Sequence, residues 1–222
     1  MKRIAALCTC ALLLCGAISG HAKAQDRQRE VTVELDTTQV EGSPELVAWA
    51  ERARDLILEW HPRIVNLLPT KGFEPTTEIH LTIRKSDEGV AHASGNRIVV
   101  MSSWIEAHPD DIGLVAHELT HIIQRYRGNT PTWLTEGIAD YIRWAIFEGK
   151  PQAWFHRPNE ARGYQQGYRT TAGFLLWLES DLAPGIVGRL NTASRAGRYN
   201  DDLFEEHTGK SLDELWDAYR SE

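Results

Sequence analysis

In this chain of 222 residues, 31 Asp and Glu outnumber 24 Lys and Arg, giving a net charge of −7. No basic patch offers itself to a phosphate backbone or an anionic membrane, which argues against nucleic acid or membrane as a partner. All three cysteines, Cys8, Cys10 and Cys15, lie in the first 15 residues, so the rest of the chain has neither disulfides nor thiolate metal ligands.

The start reads as an export signal. Met1-Lys2-Arg3 is basic, Ile4 to Ile18 is apolar, and Ala22-x-Ala24 resembles a cleavage site, the three parts of a secretory signal peptide. The apolar run is too short for a stable transmembrane helix. An uncleaved anchor is the plain alternative, and a lipid-modified Cys15 a weaker one, since bulky Leu14 precedes that cysteine. The expectation is residues 1–24 as signal, cleavage after Ala24, a secreted or periplasmic product, and one domain over 25–222. Cleavage removes Lys2, Arg3 and Lys23, leaving 21 basic against 31 acidic residues and a mature net charge of −10.

Further along, Val31 to Leu35 alternates as a strand does. Ser43-Pro44-Glu45 opens a helix carrying Leu46, Trp49, Ala50, Ala53, Leu56, Ile57 and Trp60 on one stripe. Glu78 to Ile83 alternates again, placing His80 on a solvated face. Ala91 to Ser94 and Arg97 to Met101 flank Gly95-Asn96 as a hairpin. This hairpin is the candidate sheet edge for holding extended substrate; plain core sheet is an equal alternative. Helices are predicted over 110–126, 132–147, 164–180, 184–195, 200–207 and 211–220. The class is α+β: a small, mostly antiparallel N-terminal sheet packed on one key helix, then a helical C-terminal half.

That key helix holds His117-Glu118-Leu119-Thr120-His121. Positions i and i+4 stand one above the other on a helix, so two imidazoles reach one metal ion while Glu118 faces the water it holds. Pro109-Asp110 is the predicted start of the helix. The next helix brings Glu136-Gly137-Ile138-Ala139-Asp140. A hydrolytic zinc site uses three protein ligands and one open position. Glu136 is the favoured third ligand, with Asp140 or a remote histidine as alternatives. Asp140, one turn on, is placed to hold a ligand histidine by its other nitrogen. Gly137 is expected to let these two helices approach each other closely. The extended pattern HExxHxxGxxH is excluded, because Gln124 and Arg127 stand where it needs Gly and His. His156 reads as a surface loop residue. His61, His108 and His207 lie in polar surroundings and give no sign of metal. The eight tryptophans read as core.

Gly113 to Gln124 followed by Trp133 to Arg143, with Gln166 to Leu175 and Gly209 to Tyr219, resembles the basic secretory protein family of plants and bacteria. The resemblance implies a zincin-like fold and a zinc peptidase whose third ligand is a glutamate. It carries one Zn²⁺ onto His117, His121 and Glu136, the general base onto Glu118, and the supporting acid onto Asp140. It also favours Tyr168 over Tyr164 as the donor to the oxyanion, with a packed interface tyrosine as the plain alternative. Arg169 and His156 are weaker donor candidates. The expected substrate is a peptide or protein. A secreted zinc protein without turnover, for binding or defence, and a zinc amidase acting on cell-envelope peptides are the two competing readings. Intact Glu118 argues against the first, since a binding protein needs no base beside its metal.

Overall fold

The computed structural model describes residues 30–222; the predicted signal peptide lies outside them. Strand β1 (Thr32–Asp36) leads into α1 (Pro44–Leu67), then β2 (Glu78–Arg84), β3 (Ala91–Ser94) and β4 (Arg97–Met101). Helices α2 (Ser102–Ala107), α3 (Gly113–Gln124), α4 (Thr132–Asp140), α5 (Tyr168–Trp177), α6 (Ile186–Arg195), α7 (Asp202–Thr208) and α8 (Leu212–Ser221) complete the chain. The α+β expectation holds.

The sheet departs from expectation in its strand directions. Its order is β1-β2-β4-β3; β1 pairs parallel with β2, β2 parallel with β4, and only β3 with β4 is antiparallel. The sheet is therefore mixed. The reason is connectivity: the long α1 crossover returns β2 in the direction of β1, which a short turn cannot do. Alternation in β2, with Ile79, Leu81 and Ile83 buried, reports one covered face and says nothing about the partner's direction. The predicted hairpin is present, with Ser94 opposite Arg97 and Gly95 at φ +63° in the two-residue turn, a conformation glycine adopts without strain. Because β3 ends the strand order, no strand among the described residues pairs with its outer edge.

Helix α1 runs beyond Trp60, the last of the apolar positions read from the sequence, to Leu67, through Pro62. Proline there removes a bond to the carbonyl of Leu58, and Leu58 is exposed, so water can satisfy that group. Leu46, Trp49, Ala53, Ile57 and Ile64 are buried at helical spacing; α1 packs on α3 and on the sheet. His61 corrects the sequence reading. It is buried, not in polar surroundings, and its Nε2 lies 2.7 Å from the Thr76 carbonyl oxygen. Burial pushes its pKa down, against the opposing effect of that bond, and the neutral ring donates Nε2–H. His80 is half-exposed and pairs with Glu34 at 2.7 Å across β1 and β2.

Helices α3 and α5 begin furthest from their predicted starts, at Gly113 and Tyr168. Residues 109–112 form a turn before α3, which has no side-chain cap. Residues 163–166 form a separate 3-10 turn, ended by Gly167 at φ +71°, so α5 begins at Tyr168. Helix α4 continues as a π-helical stretch over Tyr141–Phe147. The C-terminal half closes on aromatic rings: Phe174, Trp177, Phe204, Trp216 and Tyr219 are all buried. Trp60, Trp104, Trp133, Trp144 and Trp154 pack against the core only in part. Helix α8 opens with a reciprocal cap, Ser211 and Glu214 each holding the other's backbone N–H, which satisfies two otherwise orphaned donors. Among the described residues no helix is long and apolar enough to cross a membrane.

Candidate metal centre

Helix α3 is buried along Leu114, Val115, Leu119, Ile122 and Ile123, which turns His117, Glu118 and His121 toward one side. Helix α4 packs against that side and delivers Glu136. The Nε2 atoms of His117 and His121 are 3.0 Å apart. The Glu136 Oε2 stands 3.3 Å from the first and 3.5 Å from the second. Three ligands held about 2.0–2.1 Å from one tetrahedral ion lie about 3.3 Å from one another, so these three atoms have the separations of one face of a zinc site.

The electrostatics agree with the geometry. Burial alone would lower the His117 pKa, but hydrogen bonds to Asp140 and Glu136 outweigh it and raise it to about 9. Burial alone would raise Glu136, but the two imidazoles hold its carboxyl well below the ordinary range. The cluster thus stabilises positive charge at its centre, as a cation site must.

Each imidazole is oriented by its other nitrogen. The His117 Nδ1 lies 2.7 Å from Asp140 Oδ1, the partner expected from the spacing of Asp140. The His121 Nδ1 lies 2.8 Å from Gln124 Oε1, and Gln124 Nε2 donates to the Thr135 carbonyl at 2.8 Å. That carbonyl can only accept, so the amide is fixed with its oxygen toward His121. His121 therefore carries its proton on Nδ1 and leaves Nε2 free for metal. Sequence reasoning used Gln124 only to exclude a longer motif. Its amide at i+3 from His121 is the signal that could have found it. Gln124→Ala is expected to weaken zinc binding about 10–100-fold, read by competition with a chelator. Unchanged affinity would remove Gln124 from the site.

The cluster opens into a cleft of about 1150 Å³. Residues Val90 to Ala93, from the outer edge of the sheet, form one wall; Trp104, Ile112, Trp144 and Phe147 line it elsewhere. Glu118 is buried. Burial raises its pKa, opposed by His117 and His121 and, from β3, by His92. His92 is a second residue the sequence reading did not single out. Arg143 lies in the cleft, ion-paired to Asp111 and Glu148 and 3.8 Å from the Trp144 ring centre.

Tyr168 and Tyr164 part company. Tyr168 lines the cleft and is 58% exposed, at φ +50°. Tyr164 is buried, and its hydroxyl donates to Asp213 at 2.8 Å, away from the metal cluster. The break at Gly167 puts the two on separate elements. Arg169 also lines the cleft, but stacks on Trp154 and donates to its carbonyl. His156 is exposed and outside the cleft lining. Gly137 does permit a close approach, but by α5 instead of α3: a Cβ there would lie 2.2 Å from Thr171 Cγ2.

A crystal structure of an M1 zinc metallopeptidase from Deinococcus radiodurans aligns with a TM-score of 0.50 at 15% identity. The alignment covers 84% of this chain and 45% of that one, so the chain spans less than half the length of that enzyme, and the likeness is one of fold. No curated protein matches the chain. Residues 30–219 match the family described as BSP, peptidase of plants and bacteria. With nearly all of its described residues inside that match, the chain belongs to the BSP family of peptidases.

Proposed function

We propose that this peptidase is zinc-dependent, with His117, His121 and Glu136 holding one ion and Glu118 as general base. The observation that carries the reading is the set of Nε2, Nε2 and Oε2 atoms 3.0–3.5 Å apart at the floor of an open cleft. Bound there, zinc would supply Lewis-acid polarisation of a peptide carbonyl and a water nucleophile near neutral pH. The protein's own groups do the rest. Glu118 accepts a proton from the attacking water and returns it to the departing amide nitrogen. Tyr168 donates its hydroxyl to the oxyanion that forms at the carbonyl. Asp140 and Gln124 keep the imidazoles in one tautomer. Substrate backbone pairs with the outer edge of β3.

The sequence of residues 1–24 adds export by a cleaved signal to the proposal, with Gln25 as the first residue of the mature chain. The function is tested by cleavage of an unfolded protein. The expected result is hydrolysis that stops on chelation and returns with zinc. Full activity in excess chelator would remove the metal from the account.

A further inference from the structure

His121 lines a second hollow as well, of about 570 Å³, together with Gly95 from the turn that follows β3. The cleft and this hollow therefore share His121 and lie one after the other along one hairpin strand, β3 up to Ala93 lining the cleft and Gly95 just past its end lining the hollow. A strand rises about 3.3 Å per residue, so a peptide lying along β3 reaches the hollow within about three residues of the point where it passes the metal cluster.

The charge of this hollow differs from that of the chain. The protein is acidic overall, yet among the described residues that line this hollow Arg125, Arg127 and Arg195 outnumber the carboxylates, of which Glu74 is one. Arg195 is buried, and its guanidinium is spent on carbonyls: Nε to Gln124 at 3.1 Å, Nη2 to Ile123 at 2.7 Å and Nη1 to Leu68 at 2.7 Å. It ties down the end of α3 and adds positive potential, with few donors left for a ligand. Arg125 and Arg127 are exposed. Arg125 ends α3 in the left-handed conformation, φ +43°, where glycine or asparagine costs less.

We propose that Arg125 and Arg127 bind a carboxylate of the peptide substrate, either an Asp or Glu side chain or the C-terminal group, beside the metal site. Guanidinium suits this ligand because its fork of N–H donors matches a carboxylate in geometry and charge. The assignment rests on the peptidase reading, and its test is built to fail separately from that reading.

The test is calorimetric binding of unlabelled peptides to the zinc-loaded Glu118→Ala chain, which holds substrate without turning it over. Three peptides of otherwise identical sequence are compared: an internal Glu with an amidated C-terminus, an internal Gln with a free C-terminus, and a neutral peptide lacking both. At least one carboxylate peptide is expected to bind about tenfold more tightly than the neutral one, less so at high salt. Whichever does so identifies the source of the carboxylate. Adding Arg127→Gln or Arg125→Gly reduces the preference to about twofold or less. Arg125→Gly relieves the backbone and so keeps the melting temperature, which separates loss of binding from loss of fold. Equal or absent binding of all three peptides overturns the proposal, as does a preference that survives both substitutions. A preference of this kind with no cleavage of any peptide by wild type leaves the carboxylate site standing and removes the peptidase reading. Cleavage without the preference does the reverse.

Discussion

Glu118→Gln is expected to lower kcat by about 10²–10⁴-fold while the zinc content stays that of the wild type. Glutamine keeps the size and one carbonyl oxygen of the side chain but cannot take up a proton, so the substitution removes the proton transfer and little else. Glu118 is buried beside His117 and His121, but lies outside the three-residue group whose ligand atoms converge. The metal should therefore remain. A loss below about tenfold would pass the role of base to another group, and His92 on β3 would be the next to substitute. Loss of zinc in the variant would instead make Glu118 a ligand.

The second large effect is on stability. Gly137→Ala is expected to destabilise the fold by about 3 kcal/mol, within the range for overpacking a filled core, and to lower the melting temperature by roughly 6–12 °C for a domain of this size. The added Cβ would stand 2.2 Å from Thr171 Cγ2 and 2.6 Å from Thr171 Cβ. Rotating Thr171 does not relieve the second contact, and the Thr171 hydroxyl is already committed to the Tyr164 carbonyl at 2.7 Å. Helices α4 and α5 must therefore separate. Glu136 precedes Gly137 on α4, so the metal site loosens along with the core. Gly42→Ala is the control: nothing lies within 4 Å of its Cβ position, and its melting temperature should hold. Thermal unfolding of the two variants with and without zinc checks this. Equal melting temperatures would show that the α4–α5 contact yields at little cost.

The parts of the site that were legible in the sequence are those set by helical period. His117 and His121 four apart, with Glu136 and Asp140 four apart on the next helix, define two faces from spacing alone. The structure turns these faces toward each other with Asp140 on His117. What the sequence hid depends on contacts between distant segments. Strand direction follows from how α1 crosses over, while alternation reports only which face is covered. Tyr164 and Tyr168 are one turn apart on a continuous helix, but Gly167 at φ +71° breaks that helix and sends one ring to Asp213 and the other to the cleft. His61 looked solvated because its neighbours in sequence are polar, yet it is buried with its ring on the Thr76 carbonyl. Arg195 meets the end of α3 from 71 residues away, a distance no local pattern spans.

The most direct measurement is the zinc content of the purified chain under zinc-replete conditions, beside His117→Ala and Glu136→Ala. A metal held by three converging ligands in a folded site leaves when one ligand is removed. The account predicts one zinc per chain in the wild type and its loss in both variants. A wild-type chain that takes up no zinc, or variants that keep it in full, would contradict the account.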